Sequence, residues 1–308
     1  MVKNTILEKK VAVLLPAYNE EVSIEITIQN FKKALPEADI WVCDNNSTDN
    51  TRQLALDAGA IVIDQPLKGK GNAFRALLSH VDADVYILAD ADDTYEADAA
   101  PNLVKILIEK NLDMVIGARA GHNEGQYRSG HKFGNKFFSK FFSILFKMNI
   151  NDLFSGYRVF SRRFAKTFPC FSKGFEIETE INAHLVTYRL PFYEVSTKYF
   201  ARAKGSESKL NKLSDGFRIL FYLLLFLRDH SPLKVFSFLG IFLFIGSLIL
   251  FFPVYSDFLN TGKVERFPTL FISSILGLGG FLSIFTGLIL DGIKISRQAN
   301  FMQQYNNS

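Results

Sequence analysis

Two stretches in the last third of the chain carry no charged side chain: Val235 to Ser256, 22 residues, and Phe267 to Leu290, 24 residues. A bilayer core takes about 20 apolar residues at helical rise, so each stretch is long enough to cross one. Inside lipid, a helix satisfies all of its own backbone hydrogen bonds, so two membrane helices are expected, over 233–256 and 267–290. Gly240, Gly246 and Ser247 in the first, and Gly277, Gly279, Gly280 and Gly287 in the second, allow close helix approach. The alternative is a buried hairpin of a soluble protein. Lys212, Arg218, Arg228 and Lys234 precede the first span and Lys294 and Arg297 follow the second, whereas Asp257, Lys263, Glu265 and Arg266 cancel in the connector. The positive-inside bias then puts both termini, including a tail over 291–308, in the cytoplasm of a multi-pass cell (inner) membrane protein. Met1 to Lys10 has no apolar run, so no signal peptide is expected.

The 48% hydrophobic content is concentrated from Phe217 onward, and residues 1–216 have the mixed composition of one globular domain. A net charge of +4 excludes the dense basic stripe of a nucleic-acid binder and suits an anionic bilayer surface. Cys43 and Cys170 have no paired metal spacing and read as reduced core thiols. Residues 131–147, with Phe133, Phe137, Phe141 and Ile144 on one helical face among lysines, read as an interfacial helix, and 217–229 as a juxtamembrane amphipathic helix. Helices of the domain core are the competing reading for both.

Residues 1–216 alternate strand and helix patterns. Val11–Leu15, Ile40–Cys43, Ile61–Ile63, Val85–Ala89 and Met114–Ile116 read as strands. Between them, Glu20–Ala34, a segment from Thr51, Lys70–His80 and Pro101–Lys110 read as helices. This order implies an α/β fold with a mostly parallel, Rossmann-like sheet and ligands at the carboxyl ends of its strands. The polar clusters fall at those ends: Tyr18 to Glu20, Asp44 to Asp49, and Asp90 to Asp93.

Asp90, Asp92 and Asp93 would repel one another unless a cation joined them. Hard oxygen ligands, few of them from protein, suit Mg2+ or Mn2+ bridged to a diphosphate. A bare D-x-D also occurs in solvent loops and helix caps. Lys68-Gly69-Lys70-Gly71 opens a helix, where glycines and the helix N-terminus favour an anion; a plain turn is the equal alternative.

Pro16-Ala17-Tyr18-Asn19-Glu20, Asp44-Asn45-Asn46-Ser47-Thr48-Asp49, Gly69-Lys70-Gly71 and Asp90-Ala91-Asp92 together resemble the family-2 glycosyltransferases of GT-A fold. Gly117-Ala118-Arg119, Asp152-Leu153-Phe154-Ser155-Gly156-Tyr157-Arg158 and Gly205-Ser206-Glu207-Ser208-Lys209-Leu210 look like its polyprenyl-phosphate branch, that of dolichol-phosphate mannose synthases and bacterial undecaprenyl-phosphate glucosyltransferases. The resemblance covers about residues 10–216, and the two-span tail is similar to the bacterial type. It implies a nucleotide-sugar donor, held by Pro16, Tyr18, Glu20, Asp44, Lys70, Asp90 and Arg202, and an Mg2+ or Mn2+ cofactor. The metal set it implies is drawn from Asp90, Asp92, Asp93 and Thr94, with Thr94 where relatives often carry Gln. Arg119, Arg128, Arg202 and Lys209 are implied contacts of the lipid phosphate. Asp92, Asp152, Arg119 and Arg128 are the implied catalytic set, with Asp152 either orienting an arginine or the sugar, or acting as base. The expected reaction is inverting transfer of a hexose, glucose or N-acetylglucosamine, from UDP to polyprenyl phosphate, in a chain bound to the lipid bilayer and not to nucleic acid; a homo-oligomer stays open.

Two rivals remain. A processive polysaccharide synthase should carry Q-x-x-R-W, but the only tryptophan is Trp41, in a strand. A non-catalytic nucleotide-binding membrane scaffold would not need the acids and arginines. Arg158, Arg162 and Arg163 read either as a solvated helix start or as a phosphate site, the solvated reading being preferred for Arg162 and Arg163. Glu176, Glu178 and Glu180 read as a helix start from which one carboxylate could reach sugar hydroxyls. The five histidines read as structural.

Overall fold

The computed structural model describes residues 9–120, 150–202, 221 and 224–307. Arg128, Lys209, the 131–147 segment and the 205–210 motif lie outside these described residues. Two compact units emerge, one of residues 1–222 with 304–308 and one of residues 223–303.

In the first unit a seven-stranded sheet has the order β3-β2-β1-β4-β6-β5-β7 among the described residues. The strands are β1 Val11–Ala17, β2 Asp39–Asp44, β3 Ile61–Asp64, β4 Val85–Leu88, β5 Met114–Ala120, β6 Arg158–Ser161 and β7 Phe192–Lys198. β3, β2, β1 and β4 run parallel, β6 enters antiparallel between β4 and β5, and β7 pairs parallel with β5. The sheet is therefore mostly parallel and mixed. Its helices are α1 Ile24–Ala34, α2 Thr51–Asp57, α3 Lys70–His80, α4 Ala100–Glu109, α5 Arg162–Thr167 and α6 Ile177–Tyr188.

Local sequence explains these elements. β1 buries Val11 to Leu15 almost completely, as a central parallel strand covered on both faces must. α1 buries Ile24, Thr27, Ile28 and Phe31, a single stripe at helical spacing. It begins at Ile24 and not at Glu20, because Glu20 to Ser23 form a turn in which the Glu20 carbonyl accepts from Ser23 and Ile24. α5 is capped by the Ser161 hydroxyl, which accepts from Phe164 N at 3.1 Å. β6 has only four residues, three of them buried, and carries no periodicity to reveal it in sequence.

In the second unit, helices α7 Pro232–Thr261 and α8 Phe267–Asn306 pack on each other. Both are long and apolar enough to cross a membrane. They outrun the expected spans, because the helix continues through the polar flanks; residues 291–306, expected as a tail, prolong α8. A Cβ on Gly240 would come within 2.7 Å of the Gly280 carbonyl, and one on Gly280 within 2.9 Å of the Gly240 carbonyl, so the backbones touch there. Ser247 Oγ donates to Ser273 O at 2.8 Å and Ser273 Oγ returns a bond to Ser247 O at 3.2 Å. Outward-facing Phe238 and Phe242 are 77% and 67% exposed, a lipid-compatible surface.

Candidate active site

The carboxyl ends of β1, β2 and β4 open on a cavity of about 260 Å³. Seven residues singled out in the sequence line it: Pro16, Tyr18, Glu20, Lys70, Asp90, Asp92 and Arg202. The loops after β1 and β2 are latched together. Asn19 N donates to Ser47 Oγ, Thr48 N to Asn19 Oδ1, and Glu20 N to Thr51 Oγ1 at 2.7 Å. Asn19 and Asn46 sit at φ 51° and 63°, the left-handed turn conformation that Asn tolerates.

Asp44 ends β2, in register with Ala17. Its Oδ1 is buried and accepts no hydrogen bond, and Asp44 is not among the residues that line the cavity. Asn45 does line the cavity, but its side chain is committed to protein. It accepts from Gly69 N at 2.6 Å and donates to Gln65 O and Leu67 O, holding the 65–69 loop. Lys68 Nζ lies 4.4 Å from the Tyr18 ring centroid and donates to its hydroxyl at 2.7 Å. The glycines of the 68–71 turn have a different cause from close approach to phosphate. A Cβ at Gly69 would lie 2.1 Å from Lys173 O, and one at Gly71 2.2 Å from Ser172 O, so the 170–174 loop needs them bare.

Behind the rim sit four ion pairs. Lys70 Nζ, at the start of α3, contacts Asp90 Oδ1 at 2.5 Å and Glu178 Oε1 at 2.6 Å. Arg202 Nη2 contacts Asp92 Oδ2 at 2.6 Å. Arg119 grips Asp152 in a fork, Nε to Oδ2 at 2.7 Å and Nη2 to Oδ1 at 2.6 Å, while its backbone N–H donates to the same carboxylate. Burial alone would lift the Asp90 carboxyl, but Lys70, with Arg202 and Arg119 beyond, brings it below the usual carboxylate range. Asp92 moves the other way, raised by burial and by Asp90 against the opposing pull of Arg202 and Thr94. Burial likewise opposes the charge on Lys70, yet its two carboxylates outweigh that cost and raise its pKa. Two neighbouring acids of one motif are thereby made unequal.

The four residues of the implied metal set diverge. Thr94 Oγ1 donates to Asp92 Oδ1 at 2.6 Å, fixing that carboxylate. Asp93, at φ 56°, points to α1, where Asn30 Nδ2 donates to its Oδ1 at 2.8 Å. Of these four only Asp90 and Asp92 line the cavity, with Glu20 as the further carboxylate on its wall. Among the described residues no group of three or more His, Cys, Asp or Glu is arranged to hold a metal. An ion bridged to a ligand diphosphate fits a two-carboxylate site of this kind.

Sequence reasoning left Glu178 unresolved among three alternating glutamates. Glu176 accepts from Lys173 N and Gly174 N, and Glu180 from Phe171 N and Ser172 N, so both brace the 170–174 loop. Glu178 alone reaches Lys70. Tyr95 went unnoticed; its buried hydroxyl accepts from Gly156 N at 2.8 Å, and its ring packs against Tyr157 and Tyr199. Phe175 also lines the cavity. Arg158 is neither solvated nor in the cavity but fully buried, whereas Arg162 pairs with exposed Asp82. His184 is buried among Phe164, Phe168 and Tyr188, and Cys43 and Cys170 are free buried thiols raised to about 12 by burial.

Comparison with known proteins places this geometry. The chain is 50% identical over 121 residues to Protein RfbJ of Shigella flexneri, covering 39% of this chain and 94% of that protein. It is 34% identical over 232 residues to glycosyltransferase AglJ of Haloferax volcanii, covering 75% and 76% of the two chains. Glucosyl-3-phosphoglycerate synthase of Mycobacterium tuberculosis, solved with Mn2+, UDP and glucosyl-3-phosphoglycerate, shares the fold at a TM-score of 0.60 and 23% identity, over 73% of this chain and 82% of that one. Residues 12–168, which carry the latched loops and the Asp90–Asp92 motif, match the glycosyl transferase family 2 domain, and the chain belongs to that family of glycosyltransferases.

Proposed function

We propose that the chain transfers a hexose, glucose or N-acetylglucosamine, from a UDP-sugar to polyprenyl phosphate, with inversion at the anomeric carbon. The observation that carries this reading is the row of three charge pairs, Lys70–Asp90, Arg202–Asp92 and Arg119–Asp152, running from the donor cavity to the adjoining loop on a chain that also has two bilayer-length helices. The Tyr18–Lys68 pair on the cavity wall offers a ring and a cation to the nucleotide, and Asp44 at the end of β2 is the acceptor proposed for its base. A protein of the same fold holds UDP and Mn2+ together, in keeping with this donor. The domain over 1–216 faces the cytoplasm in this reading, with 217–229 at the headgroups and helices over 233–256 and 267–290 in lipid.

Asp90 and Asp92 would hold Mg2+ or Mn2+, which supplies charge stabilisation on the departing nucleoside diphosphate. Lys70 and Arg202, freed from those acids, would turn toward the diphosphate oxygens and add two cations to it. A phosphate monoester is largely dianionic at neutral pH, with a second pKa of about 6, so as a nucleophile it needs alignment more than deprotonation. Arg119 is placed to give that alignment. Asp152, engaged by two guanidinium nitrogens and by the Arg119 backbone, serves as its orienter rather than as a base. Displacement in one step converts an α-linked donor into a β-linked lipid product.

The test is the full chain in detergent with labelled UDP-sugars, Mn2+ or Mg2+ and polyprenyl phosphate. A labelled organic-phase product is expected, and Asp92→Ala should abolish it. Tight UDP binding with no lipid-linked product from any donor would refute the acceptor assignment.

A further inference from the structure

Arg158, the first residue of β6, is 0% exposed, and among the described residues no carboxylate lies within ion-pair distance of it. Burial lowers its pKa to about 10, so it stays charged at neutral pH. A charge in that position is costly, and a position that only filled space between β6 and α6 would be better served by an apolar side chain. Besides a contact from Nη1 to the Met114 sulfur at 3.5 Å, its fork is engaged at three oxygens. Nε donates to Ser155 O at 2.8 Å, Nη2 to Leu153 O at 3.0 Å, and Nη1 to Asn182 Oδ1 at 2.8 Å. Asn182, buried on α6 one turn beyond Glu178, donates back to Leu153 O at 2.7 Å.

The two carbonyls so captured lie inside the 152–156 loop, and both ends of that loop touch the site. At one end Asp152 grips Arg119. At the other, Gly156 lies against the donor-side pair, since a Cβ there would sit 3.0 Å from Lys70 Nζ and 3.1 Å from Asp90 Oδ2. We propose that Arg158, with Asn182, is a positioning residue that fixes this loop to the helix bearing Glu178 and so holds the donor-side Lys70–Asp90 pair in register with the acceptor-side Arg119–Asp152 pair. A planar fork can bind carbonyls of two residues and an amide at once, which a lysine ammonium at the end of a flexible stem cannot reproduce. Only the kinetic arm of the test rests on the acceptor reading given above.

The experiment compares the full chain in detergent with Arg158→Lys, Arg158→Met and Asn182→Leu. Three quantities are measured: hydrogen–deuterium exchange across residues 151–157, affinity for UDP with Mn2+, and sugar transfer at saturating donor. All three variants should exchange faster in 151–157 while the strands β1 to β4 stay protected and UDP affinity is unchanged. Turnover should fall about 10- to 100-fold, the scale of an ångström-level misplacement, and Lys should not rescue it. Full rescue by Arg158→Lys would reduce the residue to a charge and overturn the inference. So would unchanged exchange in 151–157, or faster exchange throughout the sheet with loss of UDP binding, which marks a plain folding role. If Arg158→Met fails to fold, Asn182→Leu, which removes one arm at similar volume, still decides. Failure of the wild type to glycosylate polyprenyl phosphate would strike the acceptor reading alone, because exchange and UDP affinity do not depend on it.

Discussion

Lys70→Met removes one charge from the centre of the site and keeps most of the stem. The Lys70 side chain is 9% exposed, that of Glu178 7% and that of Asp90 29%, so the triad is shielded from water. At an effective dielectric of about 20, each contact of 2.5–2.6 Å represents about 6 kcal/mol of gross attraction, most of it offset by desolvation. What the substitution exposes is the cost of two neighbouring carboxylates, Glu178 buried and Asp90 half-buried, without their cation, about 3–5 kcal/mol. For a unit of this size that lowers Tm by about 6–20 °C. The single tryptophan, Trp41 on β2, makes its fluorescence a readout of this unit. The pH dependence has a definite sign. With Lys70 present the Asp90 carboxyl is depressed, so its stabilisation is present above the unfolded carboxylate value and lost as pH falls. Without Lys70 the same carboxyl is expected to be raised, and the variant gains relative stability as acid protonates it. The Tm gap should therefore be widest at pH 8 and shrink toward pH 5, with UDP–Mn2+ affinity lost in parallel. A Tm within about 2 °C of wild type at pH 8, with no narrowing in acid, would show that the triad carries no net interaction.

Three further outcomes follow from the packing. Gly156→Ala places a methyl group 3.0 Å from Lys70 Nζ and should lower turnover about 10-fold by displacing the Lys70–Asp90 pair; wild-type kinetics would refute the contact. Burial lowers the His184 pKa to about 3, so its stabilisation is complete above the unfolded value near 6.5 and drains as pH falls, at up to about 1.4 kcal/mol per pH unit. His184→Phe, within the same aromatic cluster, should flatten the dependence of the urea midpoint on pH between about 6.5 and 4.5, and an unchanged slope would assign it elsewhere. Gly280→Ile forces a side chain against the Gly240 carbonyl, which a Cβ there would meet at 2.9 Å, and overpacking of this kind costs about 1–3 kcal/mol. The loss should appear as a lower melting temperature by circular dichroism in detergent, and an unshifted melt would mean the two helices do not touch there.

Sequence alone determined those features that depend on near neighbours. Apolar runs with turn residues between them marked β1 to β5, and helical spacing placed α3 at Lys70–His80 with both ends correct. Absence of charge over more than twenty residues marked α7 and α8, since that property belongs to a segment and not to its surroundings. The clustering of Tyr18, Asp44 and Asp90 at strand ends followed from chain order. Only tertiary structure decided what depends on residues far apart. β6, with four residues, and β7, an edge strand with one buried residue, were unreadable because each takes its place in the sheet from partners elsewhere in the chain. Asp92 and Asp93 are adjacent and chemically identical, yet one meets Arg202 and the other Asn30, because the turn at Asp93 sends consecutive side chains in opposite directions. Glu178 was separated from Glu176 and Glu180 only by the arrival of Lys70 from 108 residues away. Arg158 stood in the sequence between a solvated helix start and a phosphate contact, and it is the burial of β6 that makes it an internal side chain instead. Hydrophobic patterning is a local code, whereas the partner of a charge is fixed only when distant loops close on the same point.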